Sequence, residues 1–140
     1  GSVHIRTQNP SDTPVIHANY LQSEVDQKAV VTGLEMCREL ASQEPFRQLI
    51  KKEVRPSASV TGSESLLSYA RECGNTCWHP VGTCKMGQDS QSVVDAELGV
   101  HGILGLRVAD AAVLPNLVSS NTNMPAIMVG ERCADFILGR

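Results

Sequence analysis

In Cys77-Trp78-His79-Pro80-Val81-Gly82-Thr83 a histidine stands among Pro80, Gly82 and, shortly after, Gly87. This density of backbone breakers forces a loop between the helix-like stretches on either side. Downstream, Arg107-Val108-Ala109-Asp110-Ala111 leads on to Asn121-Thr122-Asn123-Met124-Pro125, where an apolar, helix-like stretch begins. A histidine held in a loop can act as a general base, and an asparagine at a helix entrance can steady an alkoxide, so the two segments together suggest alcohol chemistry. No Gly-x-Gly-x-x-Gly fingerprint occurs, and Gly99, Gly102 and Gly105 are spaced wrongly for one. The chain therefore reads as the catalytic part of an enzyme whose cofactor-cradling part lies elsewhere.

Around that loop the pattern predicts short strands and amphipathic helices. Val3 to Thr7 alternates apolar and polar residues, which suits a half-buried strand; Asn9-Pro10-Ser11-Asp12 carries turn chemistry, and Pro14 to Leu21 reads as an extended return. Ser23, with Asp26 three residues on and Val30, Leu34, Cys37 and Leu40 in helical register, predicts the longest helix, to about Ala41. A short helix is expected around Pro45 to Ile50 and another over Ser63 to Cys73, ended by Gly74, with Arg55-Pro56-Ser57 as the break between them. Val93-Val94-Asp95 and Leu106-Arg107-Val108 look like strands across a Gly-rich stretch, and the last helix should run from Asn123 to Leu138.

With no repeat, low-complexity tract or linker, residues 1–140 are expected to form one unit. The fold class expected is α+β: an antiparallel sheet from the early and late strands, the long helix on one face, and the final helix reaching toward a cofactor region outside this chain. Val129, Ile127 and Met128 are then candidates for apolar surface left exposed, with a homodimer as one way of covering it.

Composition narrows the function classes. At 140 residues, 41% hydrophobic and 19% charged, the chain has the make-up of a soluble globular protein with a real core. The net charge of -3, with Lys and Arg read as scattered, gives no footprint for nucleic acid or an anionic membrane. No apolar run approaches the ~20 residues of a membrane span, and the N-terminus shows no signal pattern. The five cysteines, Cys37, Cys73, Cys77, Cys84 and Cys133, include no C-x-x-C pair. They are expected as reduced, buried or partly buried thiols of a cytoplasmic protein, and no metal site is expected. A zinc- or iron-binding cluster of Cys73, Cys77, His79 and Cys84 is the alternative.

At single residues the bland explanation stands beside the chemical one. His4, His17 and His101 fit surface or satisfied histidines; His79 differs in its Pro/Gly loop and its bulky neighbour Trp78, which would hold an imidazole in a fixed place. Asn121 and Asn123 could simply cap the final helix. The same region also presents free N–H groups and the positive end of a helix dipole to a cofactor that becomes anionic on reduction. Asp110 after a strand is usually a turn former, and Ala111-Ala112 would let a ligand approach the backbone. Arg107, Glu131, Arg132 and Asp135 are read as surface charges without a role.

Taken in order, Trp78-His79-Pro80-Val81-Gly82-Thr83-Cys84-Lys85-Met86-Gly87, Val94-Asp95, Gly105-Leu106-Arg107-Val108-Ala109-Asp110-Ala111, Asn121-Thr122-Asn123-Met124-Pro125 and Gly130 to Asp135 resemble the C-terminal part of the glucose–methanol–choline (GMC) oxidoreductases. The resemblance covers nearly the whole chain. It implies an FAD-dependent oxidase or dehydrogenase, choline dehydrogenase-like, that transfers hydride from a small-molecule alcohol to flavin. It also implies a partner in the N-terminal FAD-binding region, absent here, without which the fragment would be inactive. By the same resemblance His79 matches the active-site histidine and Asn121 a second position that is His or Asn. Asp110 and Ala111 match a segment near the FAD, and Asn123, Met124 and Pro125 the helix entrance near the flavin's pyrimidine edge. A non-catalytic interaction module of enzyme-like sequence is the alternative from another class.

Overall fold

The computed structural model describes residues 1–140, within which two compact units, 1–75 and 76–140, can be distinguished. The division falls after Gly74, within a stretch too short to read as a linker.

The first unit opens on an antiparallel ribbon of β1 (Ser2–His4) and β2 (Val15–His17), with Val3 opposite Ile16. Strand β1 stops short of the expected Thr7 because side-chain turns take over there. The Asn9 N–H donates to Thr7 Oγ1 (3.1 Å), and Asn9 Oδ1 accepts from the Ser11 N–H (3.1 Å). The ribbon is largely exposed instead of half-buried, since no helix packs across it.

Helix α1 (Glu24–Ser42) starts where expected: Ser23 is extended and its Oγ accepts from the Val25 N–H at 3.2 Å. It packs on α3 (Ser63–Cys73) and on the single turn α2 (Phe46–Leu49), not on the sheet. Val31, Leu66 and Ala70 are buried. Arg38 ties the connecting stretch to α1, its Nε donating to Glu53 Oε1 (2.9 Å) and its Nη2 to the Ser57 carbonyl (3.2 Å). Gly74 does end α3, its N–H reaching the Ala70 carbonyl at 2.9 Å, but with φ -65 in place of a left-handed cap. Glycine serves there through close approach, because a Cβ would collide with the Ala70 oxygen.

The second unit contains a 3₁₀ turn (Ala111–Val113) and α4 (Asn123–Leu138), the latter over the expected residues. The late strands do not form. Val94 makes single bridges to Met86 and Val100, and Gly99 one to Arg107. Asp95 Oδ1 captures the N–H groups of Glu97 (2.9 Å) and Gly99 (2.8 Å), bending the chain before a ladder can grow. The antiparallel sheet is therefore β1 and β2 alone. The core of this unit is Val94, Leu98, Val113, Val129 and Cys133. Val129 thus belongs to the interior and not to the exposed surface, whereas Ile127 and Met128 are 51% and 57% exposed.

All five cysteines are free, but only Cys133 is buried and Cys84 half-buried; Cys37, Cys73 and Cys77 are exposed, contrary to expectation. The last two flank the turn that follows α3, where little apolar packing is available. No three His, Cys, Asp or Glu side chains gather closely enough to hold a metal ion, and no helix is long and apolar enough to cross a membrane.

Candidate active site

His79, Asp110, Ala111, Asn121 and Asn123 to Pro125 all lie in the second unit, on three segments, whereas Cys73 of the alternative metal cluster lies in the first. The first is the His79 loop. Trp78 adopts φ 60, a left-handed conformation that costs an L-residue energy, and its N–H donates to Thr76 Oγ1 at 3.1 Å. Its indole is 78% exposed. His79 follows, partly buried, and Pro80 keeps it out of helical geometry. Gly82, at φ 81, then turns the chain so tightly that a Cβ there would lie 3.3 Å from the Leu114 carbonyl oxygen. The loop is pinned by two backbone bonds, Cys84 N–H to the Ala112 carbonyl (3.0 Å) and Met86 N–H to the Val113 carbonyl (2.8 Å).

The second segment is the 3₁₀ turn that receives those bonds. Asp110 Oδ1 accepts from the Ala112 N–H at 2.7 Å and so caps the turn, the local role that the sequence offered for it. Val113 is fully buried beneath, and Ala111 is half-buried with no bulk beyond its methyl group.

The third segment is the entrance of α4, a helix that packs on the 3₁₀ turn, with Val129 and Cys133 in the same core as Val113. Neither Asn121 nor Asn123 supplies a cap. The N-cap is Thr122, buried and helical in backbone, and its side chain makes no capping bond. Pro125 has no N–H, so the Asn123 and Met124 N–H groups are left at the positive end of the helix without a side-chain acceptor. Asn121 is exposed and its carboxamide bonds to nothing in the chain; only its backbone carbonyl accepts, from Ser120 Oγ at 3.4 Å. A free carboxamide beside uncapped N–H groups is an arrangement that can receive negative charge.

The other histidines are placed elsewhere. His4 and His17 lie in the ribbon, and His101 Nε2 is engaged by the Gly87 carbonyl at 3.0 Å. Beyond Gly87, Lys85 Nζ sits 3.0 Å from Asp89 Oδ2 and, with the Gln91 N–H, holds that carboxyl below its ordinary value of 3.8. Sequence reasoning missed the supports of the loop: Thr76, the left-handed Trp78, and the bonds from Cys84 and Met86. Pro80, Gly82 and Gly87 were the local signs of such a turn; the backbone bonds join residues about 28 apart and leave no mark in composition.

The model of the GMC oxidoreductase family matches residues 1–130. The alcohol dehydrogenase [acceptor] of Pseudomonas putida is 38% identical over 138 residues, 99% of this chain and 25% of that protein. The oxygen-dependent choline dehydrogenase of Escherichia coli O45:K1 is 39% identical over 140 residues, 100% of this chain and 25% of that protein. Among solved structures, an FAD-dependent oxidoreductase from Chaetomium thermophilum superposes with a TM-score of 0.90 at 31% identity, covering 98% of this chain and 24% of its own. Pyridoxine 4-oxidase from Mesorbium loti does so at 0.91 and 27% identity, covering 100% and 27%. The chain thus spans about a quarter of the length of these relatives.

Proposed function

Because the chain belongs to the GMC oxidoreductase family, we propose that residues 1–140 act as the C-terminal catalytic domain of an FAD-dependent, choline dehydrogenase-like alcohol oxidoreductase, one that moves hydride from the carbinol carbon of a small-molecule alcohol to flavin. The observation that supports this is that the chain just after the His79 loop is bonded, through the Cys84 and Met86 N–H groups, to the turn that follows Asp110, and that α4, which begins two residues after Asn121, packs on the same turn. Surface histidines and asparagines do not require such support.

The residues present suit FAD in two respects. The α4 entrance leaves N–H groups without a side-chain cap, and Ala111, half-buried in the 3₁₀ turn that packs on α4, presents only a methyl group. Asn123, Met124 and Pro125 would hold the flavin at that entrance, and Ala111 would admit it close to the backbone, with Asp110 fixing the turn. FAD, when bound, supplies the hydride acceptor; its pyrophosphate site would come from the N-terminal region outside this chain.

The chain's own groups handle the proton and the oxygen. A neutral His79 accepts the hydroxyl proton, which concentrates negative charge on the alcohol oxygen and favours departure of hydride from carbon. Asn121 donates an N–H from its carboxamide to that oxygen. It has no basic lone pair with which to remove the proton, so the two roles differ in weight.

The test uses full-length protein with FAD, reduced anaerobically by alcohol in a stopped-flow instrument. His79→Ala is expected to slow flavin reduction by roughly 10²-fold or more with flavin content unchanged. Asn121→Ala should cost less, as befits one neutral hydrogen bond of about 0.5–1.5 kcal/mol. Near-normal reduction in His79→Ala together with abolition in Asn121→Ala would place the base elsewhere.

A further inference from the structure

Four of the chain's twelve Lys and Arg residues, Arg47, Lys51, Lys52 and Arg55, fall within nine positions, so the basic residues are not scattered after all. All four are exposed. Between and beside them the first unit leaves apolar side chains in solvent: Phe46 is 53% exposed, Leu49 80% and Val54 71%. Glu53 is the only carboxylate from Phe46 to Arg55, and it is occupied by Arg38 at 2.9 Å, so none of the four cations is neutralised by it. Inside the segment the Ile50 N–H donates to the Arg47 carbonyl (3.2 Å), and just beyond it Arg38 Nη2 donates to the Ser57 carbonyl (3.2 Å).

Exposed apolar side chains alone would accept many partners, and cations alone would accept any polyanion. Both on one short segment suit a surface that carries negative charge at its outer edge and hydrocarbon just beneath. Phospholipid bilayers containing anionic headgroups have that layering: Lys and Arg meet headgroup phosphates and carboxylates while Leu and Phe enter the acyl boundary. The chain's net charge of -3 does not oppose this, because at physiological salt a charge is screened beyond about 8 Å and only the local set is felt. We infer that Phe46–Arg55 is a peripheral docking segment for an anionic phospholipid surface.

The inference is independent of the flavin chemistry, and its test reads sedimentation, not activity. Full-length protein is mixed with vesicles of phosphatidylcholine alone or of phosphatidylcholine containing phosphatidylserine. It is expected to sediment with the second kind and stay in solution with the first. Lys51→Gln/Lys52→Gln should weaken partitioning roughly 30-fold, the effect of two headgroup-facing charges, and Leu49→Ser should weaken it with every charge retained. Circular dichroism of each variant separates loss of docking from loss of fold. Absence of sedimentation with phosphatidylserine vesicles, or an unchanged partition in the double lysine variant, overturns the inference. So does resistance of Lys51 and Lys52 to acetylation in vesicle-free full-length protein, which would mean that the remainder of the polypeptide covers them.

Discussion

Gly82 shows how a single residue can position the proposed base without touching substrate. Its φ of 81 lies where an L-side chain is disfavoured, and a Cβ would stand 3.3 Å from the Leu114 oxygen. Gly82→Ala is expected to destabilise the fold by roughly 1–2 kcal/mol from the backbone conformation alone, read as a lowered thermal midpoint. An unchanged midpoint would mean that the loop relaxes freely and does not hold His79. Asp89 carries a pH signature of its own. Its carboxyl is held below 3.8 first by the hydrogen bond from Lys85, so the stabilisation is complete above that ordinary value and is lost as pH falls through the lower folded one. Asp89→Asn should therefore lower the midpoint at neutral pH and close the gap to the parent protein in strong acid; a gap that persisted there would assign the effect to something other than ionisation.

The helices divide by how their first turns are satisfied. Helix α1 has a serine cap, so Ser23→Ala should cost about 1 kcal/mol in a denaturant titration, with no change expected at a neighbouring exposed position such as Gln22. Helices α2, α3 and α4 have no such cap, and of these only α4, in the unit that holds His79, opens beside a residue proposed for the reaction. Equal stability of the Ser23 variant would remove that contrast. The strands behaved otherwise: Val93–Asp95 and Leu106–Val108 have the composition of strands, yet Asp95 and the glycines between them divert the backbone into turns.

Across the whole chain, stability rests on a small interior in each unit. Leu98→Ala should cost about 2–5 kcal/mol because the residue is 2% exposed in the core of the second unit, whereas Leu104→Ala, on a fully solvent-exposed side chain, should stay within about 0.5 kcal/mol. Chemical denaturation of the two variants side by side reads the difference directly. Residues 1–140 expressed alone are expected to purify without flavin absorbance, since no Gly-x-Gly-x-x-Gly loop is present to hold the pyrophosphate. Stoichiometric FAD with this chain alone would overturn the division of labour proposed for the two parts.

The sequence by itself determined the helices and their ends, and it pointed to His79 and the Asn121 entrance. Those features are local: Ser23 meets a donor two residues away, and Pro80 and Gly82 constrain dihedrals within one turn of chain. It did not determine that the late segments would form bridges instead of a sheet, that Val129 would be interior, or that residues 84 and 86 would bond to 112 and 113. Each of those depends on which distant backbone group or apolar neighbour is available. Val129 and Ile127 are equally apolar two residues apart on α4, and only the packing of Val94, Leu98 and Val113 against one side of that helix decides which is buried. The clustering of Arg47, Lys51, Lys52 and Arg55 was written in the sequence, but its meaning was not, because only the folded unit leaves Leu49 and Val54 in solvent beside them and turns Glu53 toward Arg38.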